Sequence, residues 1–139
     1  MPPCPFCDII QGHPDRLVIH EDAHTIAFMP ARPLHEGHVL VMPKAHHPEI
    51  FQLTTPELDQ LFGAARRIAE ALKRLYAPPK VAVLSAGLLV EHAHPHLLPV
   101  FGPHDLTSPS ELEGTTPVRT STELRALAAA VQAALQPPA

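Results

Sequence analysis

Apolar residues recur at three- and four-residue intervals through Leu58, Leu61, Phe62, Ala65, Ile68, Ala69, Leu72 and Leu75, which draws one stripe along a helix. Thr54 and Glu57 are spaced as a capping box and Pro56 suits a first turn. A helix is therefore predicted over about Thr55 to Tyr76, stopped by Ala77-Pro78-Pro79, with Glu57, Asp59, Arg66, Arg67, Lys73 and Arg74 on its solvated face. Shorter apolar runs read as strands. They are Leu17 to Ile19 and Thr25 to Phe28, joined as a hairpin at Glu21-Asp22; His38 to Met42, ended by Pro43; Val81 to Leu84; and Ala93 to Val100. Pro5 to Gln11 has room for one or two helical turns before Gly12, and Pro30 to Gly37 is a loop. An alanine-rich helix is expected over Ser121 to Leu135, packed on the outside, after an irregular stretch from Gly102 to Thr120.

The elements add up to the α+β class: a small, mostly antiparallel sheet with a principal helix laid against one face and a C-terminal helix. No repeat or linker divides the chain, so residues 1–139 are expected to form a single domain, and 139 residues suffice for a core without disulfide staples.

Composition narrows the function. The net charge of −4, with no Lys/Arg cluster, argues against nonspecific nucleic-acid binding and against a membrane-surface role. A small anionic substrate needs only a local cluster of donors. The sequence shows no apolar run of bilayer length, and Met1-Pro2-Pro3-Cys4 has no basic segment leading into an apolar one, so a cytoplasmic location is expected. Trp is absent and prolines number 18, but the 11 histidines are the excess that points to chemistry.

Three of them alternate in Glu91-His92-Ala93-His94-Pro95-His96. On a strand, alternate side chains project to one face. Imidazoles so placed desolvate one another and resist joint protonation, which leaves at least one neutral as a nucleophile or ligand near pH 7. Pro95 cannot donate to a ladder, so it requires an edge strand or a place where the neighbouring backbone is diverted. A surface histidine cluster and a single metal bound by all three are the competing readings. Cys4 and Cys7, the two cysteines, form a Cys-x-x-Cys pair that in a cytoplasmic chain suggests zinc or redox chemistry before a disulfide.

The run resembles the signature of the histidine triad (HIT) superfamily, His-x-His-x-His followed by apolar residues. Cys4-Pro5-Phe6-Cys7-Asp8-Ile9-Ile10 is similar to the family's opening, Ala27-Phe28 to its second strand, and Gly37-His38-Val39-Leu40-Val41-Met42-Pro43-Lys44-Ala45-His46 to its central strand and turn. The resemblance covers about residues 4–101 and leaves 102–139 as an extension. It implies the HIT-like fold, a homodimer with a sheet continued across two subunits, and a nucleotide-like substrate attacked at its α-phosphorus. His94 would be the nucleophile, forming a phospho-histidine that water resolves. His96 would bind phosphate oxygens or the leaving group, and His38 would complete the imidazole cluster. Phe28, Ser85 and His96 are the implied substrate contacts. Zinc-bearing relatives imply a structural zinc on Cys4, Cys7, His46 and His92, with His47 a competitor for His46.

Polar positions of the family pattern are lost here. Met29-Pro30 stands where an acidic residue holds ribose hydroxyls, and Gly87-Leu88-Leu89 stands where Gly-Gln-Ser/Thr supplies donors to phosphate. The preceding Asn is absent too, which leaves Ser85 as the nearest polar group. Two rival readings therefore stand beside the enzyme: a zinc-stabilised nucleotide-binding or interaction module with little activity, and a hydrolase that uses the triad as metal ligands.

Overall fold

The structure, a computed structural model, describes residues 3–12, 17–105 and 119–135. Five strands form one sheet in the order β1-β2-β3-β5-β4. They are β1 (Val18–Glu21), β2 (Thr25–Phe28), β3 (Val39–Pro43), β4 (Lys80–Leu84) and β5 (His96–Val100), with every neighbouring pair antiparallel. Among the described residues the α-helices are α1 (Pro5–Ile10), α2 (Thr55–Tyr76) and α3 (Ser121–Leu135). No described helix is long and apolar enough to cross a membrane.

α2 begins and ends where the sequence predicts. Thr54 accepts from the Glu57 amide while the Glu57 carboxylate accepts from the Thr54 amide, and Ala77 closes the helix in the left-handed conformation. Its stripe is narrower than expected: Leu61, Ala64, Ala65, Ile68, Ala71 and Leu72 are buried, whereas Phe62 and Leu75 stand partly in solvent. α3 lies on the outside, as expected, and packs one narrow stripe inward. Leu124, Ala128 and Val131 are buried in the same cluster as α2, and Arg74 donates to the Ala134 carbonyl.

The sheet is covered on both faces rather than one. Ile19, Ala27, Val39, Val41 and Leu97 pack against α2 and α3. On the opposite face Ile26, Phe28, Leu40 and Met42 pack against Phe6, Ile9 and Ile10 of α1. This double cover explains why every residue of β2 and β3 is buried.

The histidine run is the second correction. β5 starts at His96, not Ala93, because Pro95 has no N–H to extend the ladder. Residues 92–95 stay alongside β3 through two bonds instead, Val41 N–H to the Pro95 carbonyl at 3.1 Å and Ala93 N–H to the His47 carbonyl at 2.7 Å. Side-chain alternation survives the missing ladder. Ala93 faces the α2 core, while the His92 and His94 rings meet Phe6 on the other face.

Gly37 leads into β3 with φ +86°, and a Cβ there would lie 2.7 Å from Pro99 Cγ and 2.8 Å from Tyr76 Cε2. Glycine is required on both counts. Of the irregular stretch expected from Gly102 to Thr120, residues 106–118 lie outside the described residues.

Candidate functional site

The face covered by α1 carries the chemistry. Leu40 and His96 are register partners across β3 and β5, and His38 lies two residues before Leu40. The Leu34 amide donates to His38 Nδ1 at 3.0 Å. A main-chain amide cannot reverse its role, so neutral His38 carries its proton on Nε2 and donates to His96 Nδ1 at 2.8 Å. His96 then holds its own proton on Nε2, as a donor toward whatever enters the site. Burial pushes His38 down to about 3, with the His96 and His35 charges adding to it. Burial, then His94, lowers His96 to about 4. Both rings are neutral donors at physiological pH.

His94 is assigned by the same logic. Its Nδ1 lies at hydrogen-bond distance from the His92 carbonyl, an acceptor, so Nδ1 carries the proton and Nε2 keeps the lone pair. The ring is held between Phe6, at 4.8 Å between centroids, and His96, at 5.2 Å.

His92 points its chemistry elsewhere. Nε2 donates to the Pro43 carbonyl at 2.8 Å, which leaves the Nδ1 lone pair of a fully buried ring beside two thiols. Nδ1 lies 3.5 Å from Cys4 Sγ, 3.6 Å from Cys7 Sγ and 3.2 Å from His46 Nδ1, and Cys7 Sγ lies 3.3 Å from His46 Nδ1. A tetrahedral zinc at ordinary bond lengths spaces its ligand atoms by roughly 3.3–3.8 Å. The observed separations of 3.2–3.6 Å match that spacing, and all four donor atoms lie within 4.8 Å of one another. Two thiolates and two imidazoles favour zinc over harder cations. Burial, then the Cys4 thiol, pushes the Cys7 thiol up to about 11, and a bound cation reverses that shift. His47 does not join the set, because its Nε2 is 3.0 Å from a Glu57 carboxylate oxygen.

The remaining sequence candidates fall less centrally. Phe28 is buried, 5.5 Å from Phe6, and forms a wall beneath the site rather than an open contact. Ser85 is exposed just past Leu84, the residue opposite His96. Met29 is buried in the α2-side core and turned from the imidazoles. Leu88 and Leu89 are 89% and 99% exposed. The sequence reading missed Phe6, the Leu34 amide and the Pro43 carbonyl. Phe6 had a visible signal, since it sits inside the Cys-x-x-Cys pair; the other two are backbone groups that no side-chain pattern reveals.

Known proteins resemble this chain in sequence and in fold. The HIT domain family model matches residues 11–102. Protein hit of Bacillus subtilis is 34% identical over 107 residues, spanning 73% of this chain and 74% of that protein. An adenylylsulfatase of Arabidopsis thaliana is 27% identical over 101 residues, 69% of this chain and 51% of its own. Among solved structures, a zinc-bound histidine triad family protein from Mycobacterium smegmatis superposes with a TM-score of 0.67 at 25% identity, covering 94% of this chain and 96% of that one.

Proposed function

The chain belongs to the histidine triad (HIT) family, and from that premise we propose that it is a hydrolase or nucleotidyl transferase acting at the α-phosphorus of a nucleotide-like substrate. The observation that carries this reading is the trio of fixed tautomers: a lone pair on His94 Nε2 beside an N–H donor on His96 Nε2, with His38 holding the donor in place.

In the first step the His94 Nε2 pair forms a bond to phosphorus. The bond from phosphorus to the leaving group breaks, and that group departs with its electron pair and takes a proton from solvent. The phosphorylated imidazolium keeps its Nδ1–H on the His92 carbonyl, which stabilises the added positive charge. Water or an acceptor alcohol then forms a bond to phosphorus and gives up its proton to solvent, the P–N bond breaks, and the pair returns to Nε2. His96 donates to a phosphoryl oxygen in both steps, a contribution that typically amounts to ~3–4 kcal/mol for one well-placed donor. The zinc held by Cys4, Cys7, His46 and His92 would be structural, since all four positions of a tetrahedral ion are filled by protein. Substrates of the right class are nucleoside phosphoramidates, dinucleoside polyphosphates and, by analogy with the adenylylsulfatase relative, adenylyl sulfate.

Two further features belong to this reading. The outer edge of β4, with Val83 and Leu84 half in solvent, suits a homodimer in which the sheet continues into a second copy. The exposed Leu88 and Leu89 favour the second reading, a zinc-stabilised nucleotide-binding module with slow chemistry.

A turnover panel on these substrates, with intact-mass detection of the wild type and His94→Ala, separates the two. A transient nucleotidyl adduct and turnover, both lost in His94→Ala, are expected. Tight nucleotide binding with neither adduct nor turnover would establish the module instead.

A further inference from the structure

α1 is too short to hold itself. It has six residues, none of them fully buried, and helices below about 12–15 residues are marginal without tertiary support. Its attachments are of two kinds. Cys4 and Cys7, at its N-terminal end, face His46 and His92 in the metal cluster. Phe6, between them, meets His94 edge-on at 4.8 Å and Phe28 at 5.5 Å, while Ile9 and Ile10 rest on the small apolar cluster of β2 and β3. α1 and its N-cap Cys4 thus connect the four-ligand cluster to the ring assigned as nucleophile. A cavity of about 220 Å³ that includes Cys4, His46 and Glu91 in its lining opens beside two of the four donor residues, so the cluster is reachable from solvent.

We propose that α1 is a metal-latched wall of the phosphorus site, and that Phe6 is the positioning residue that the latch presses against His94. When the four ligands are bridged, α1 is docked and the His94 ring is packed on one side by Phe6. When they are not, the contacts of Phe6, Ile9 and Ile10 do not hold α1 and it leaves the sheet, while α2, α3 and the larger core stay folded. The proposal rests on the nucleotide reading only for what the wall touches, not for the latch itself.

Hydrogen–deuterium exchange on the full chain tests the latch without any substrate. With zinc bound, the amides of residues 7–12 should be protected. After chelation their exchange should rise at least tenfold while β2, β3 and α2 keep their protection, and Cys7→Ser with zinc present should behave like the chelated wild type. Unchanged exchange in α1 would overturn the latch, and so would loss of protection throughout the sheet and α2, which would make the metal a brace for the whole domain.

The role of Phe6 is read by titrating adenosine monophosphate. Phe6→Ala and chelation should each weaken binding about tenfold, and chelated Phe6→Ala should be no weaker than either alone, because both remove one wall. Phe6→Leu should restore part of the loss. Additive losses would overturn the role of Phe6. Absence of nucleotide binding in zinc-loaded wild type would count against the proposed function, and the exchange result would still decide the latch.

Discussion

His38 and His96 meet across the seam between β3 and β5 with Nε2 and Nδ1 2.8 Å apart, and the Leu34 amide behind them dictates which ring donates. Replacing His38 with Phe removes the donor and frees His96 to take either tautomer. By analogy with the partners that orient metal-ligating histidines, the loss should cost roughly ten- to a hundred-fold in activity. The fall is expected in kcat with KM nearly constant, measured on whichever substrate the panel identifies. A variant with wild-type kcat would mean that His96 needs no such partner.

The same pair makes stability depend on pH. Unfolded, each imidazole protonates near its ordinary value of about 6.5. Folded, burial holds His38 to about 3 and His96 to about 4. Below about pH 6.5 the unfolded chain therefore binds more protons than the folded one, and stability drops as pH falls. Asp22, Glu57 and Asp105 are held below the usual carboxylate range, chiefly by backbone hydrogen bonds that outweigh the effect of burial. They add their own loss only as the pH nears about 4. Thermal melts between pH 7 and 5 should show a declining Tm whose slope is shallower in His38→Phe. Equal slopes would place the proton uptake on other groups.

Metal content should separate two adjacent histidines. His46→Ala should release most of the zinc, whereas His47→Ala, which gives up only the Glu57 contact, should retain one zinc per chain by elemental analysis. The reverse result would exchange their roles.

Gly37→Ala should destabilise the domain by about 2–4 kcal/mol, combining a left-handed φ with overpacking. The added methyl meets Pro99 and the ring of Tyr76, both held by the core. Urea denaturation should show a lowered midpoint at an unchanged m-value, and a midpoint equal to wild type would mean the loop before His38 yields freely.

The β4 edge predicts an assembly. Light scattering should give a dimer for the wild type, and Val83→Lys should shift it toward monomer, since a charge on an exposed edge strand opposes pairing. Dimers that persist in Val83→Lys would place the interface on another surface.

Much of this molecule was legible in its sequence, for reasons that differ by element. α2 was readable to the residue because its signals are local: a capping box at one end and a proline pair past the other. The shared face of His92, His94 and His96 was readable from alternation, yet the start of β5 was not, because extended residues alternate whether or not a ladder holds them. Pro95 was the clue to the difference. The partner of α1 was hidden, since Phe6, Ile9 and Ile10 mark an apolar stripe too brief to say which face it covers. The choice of His46 over His47 was likewise beyond reach, because it depends on where Glu57 lies in space.

The sheet has two faces of unequal weight. One is shared with α2 and α3 and holds most of the buried apolar residues; the other is capped by a helix of six residues over four buried ones. The larger core and the imidazole cluster thereby lie on opposite sides of the same strands. On the proposed reading, substitutions at Phe6, Ile9 or Ile10 would remodel what the site accepts while the larger core keeps the chain folded, so new substrate preferences could be explored on one side at little risk to the other.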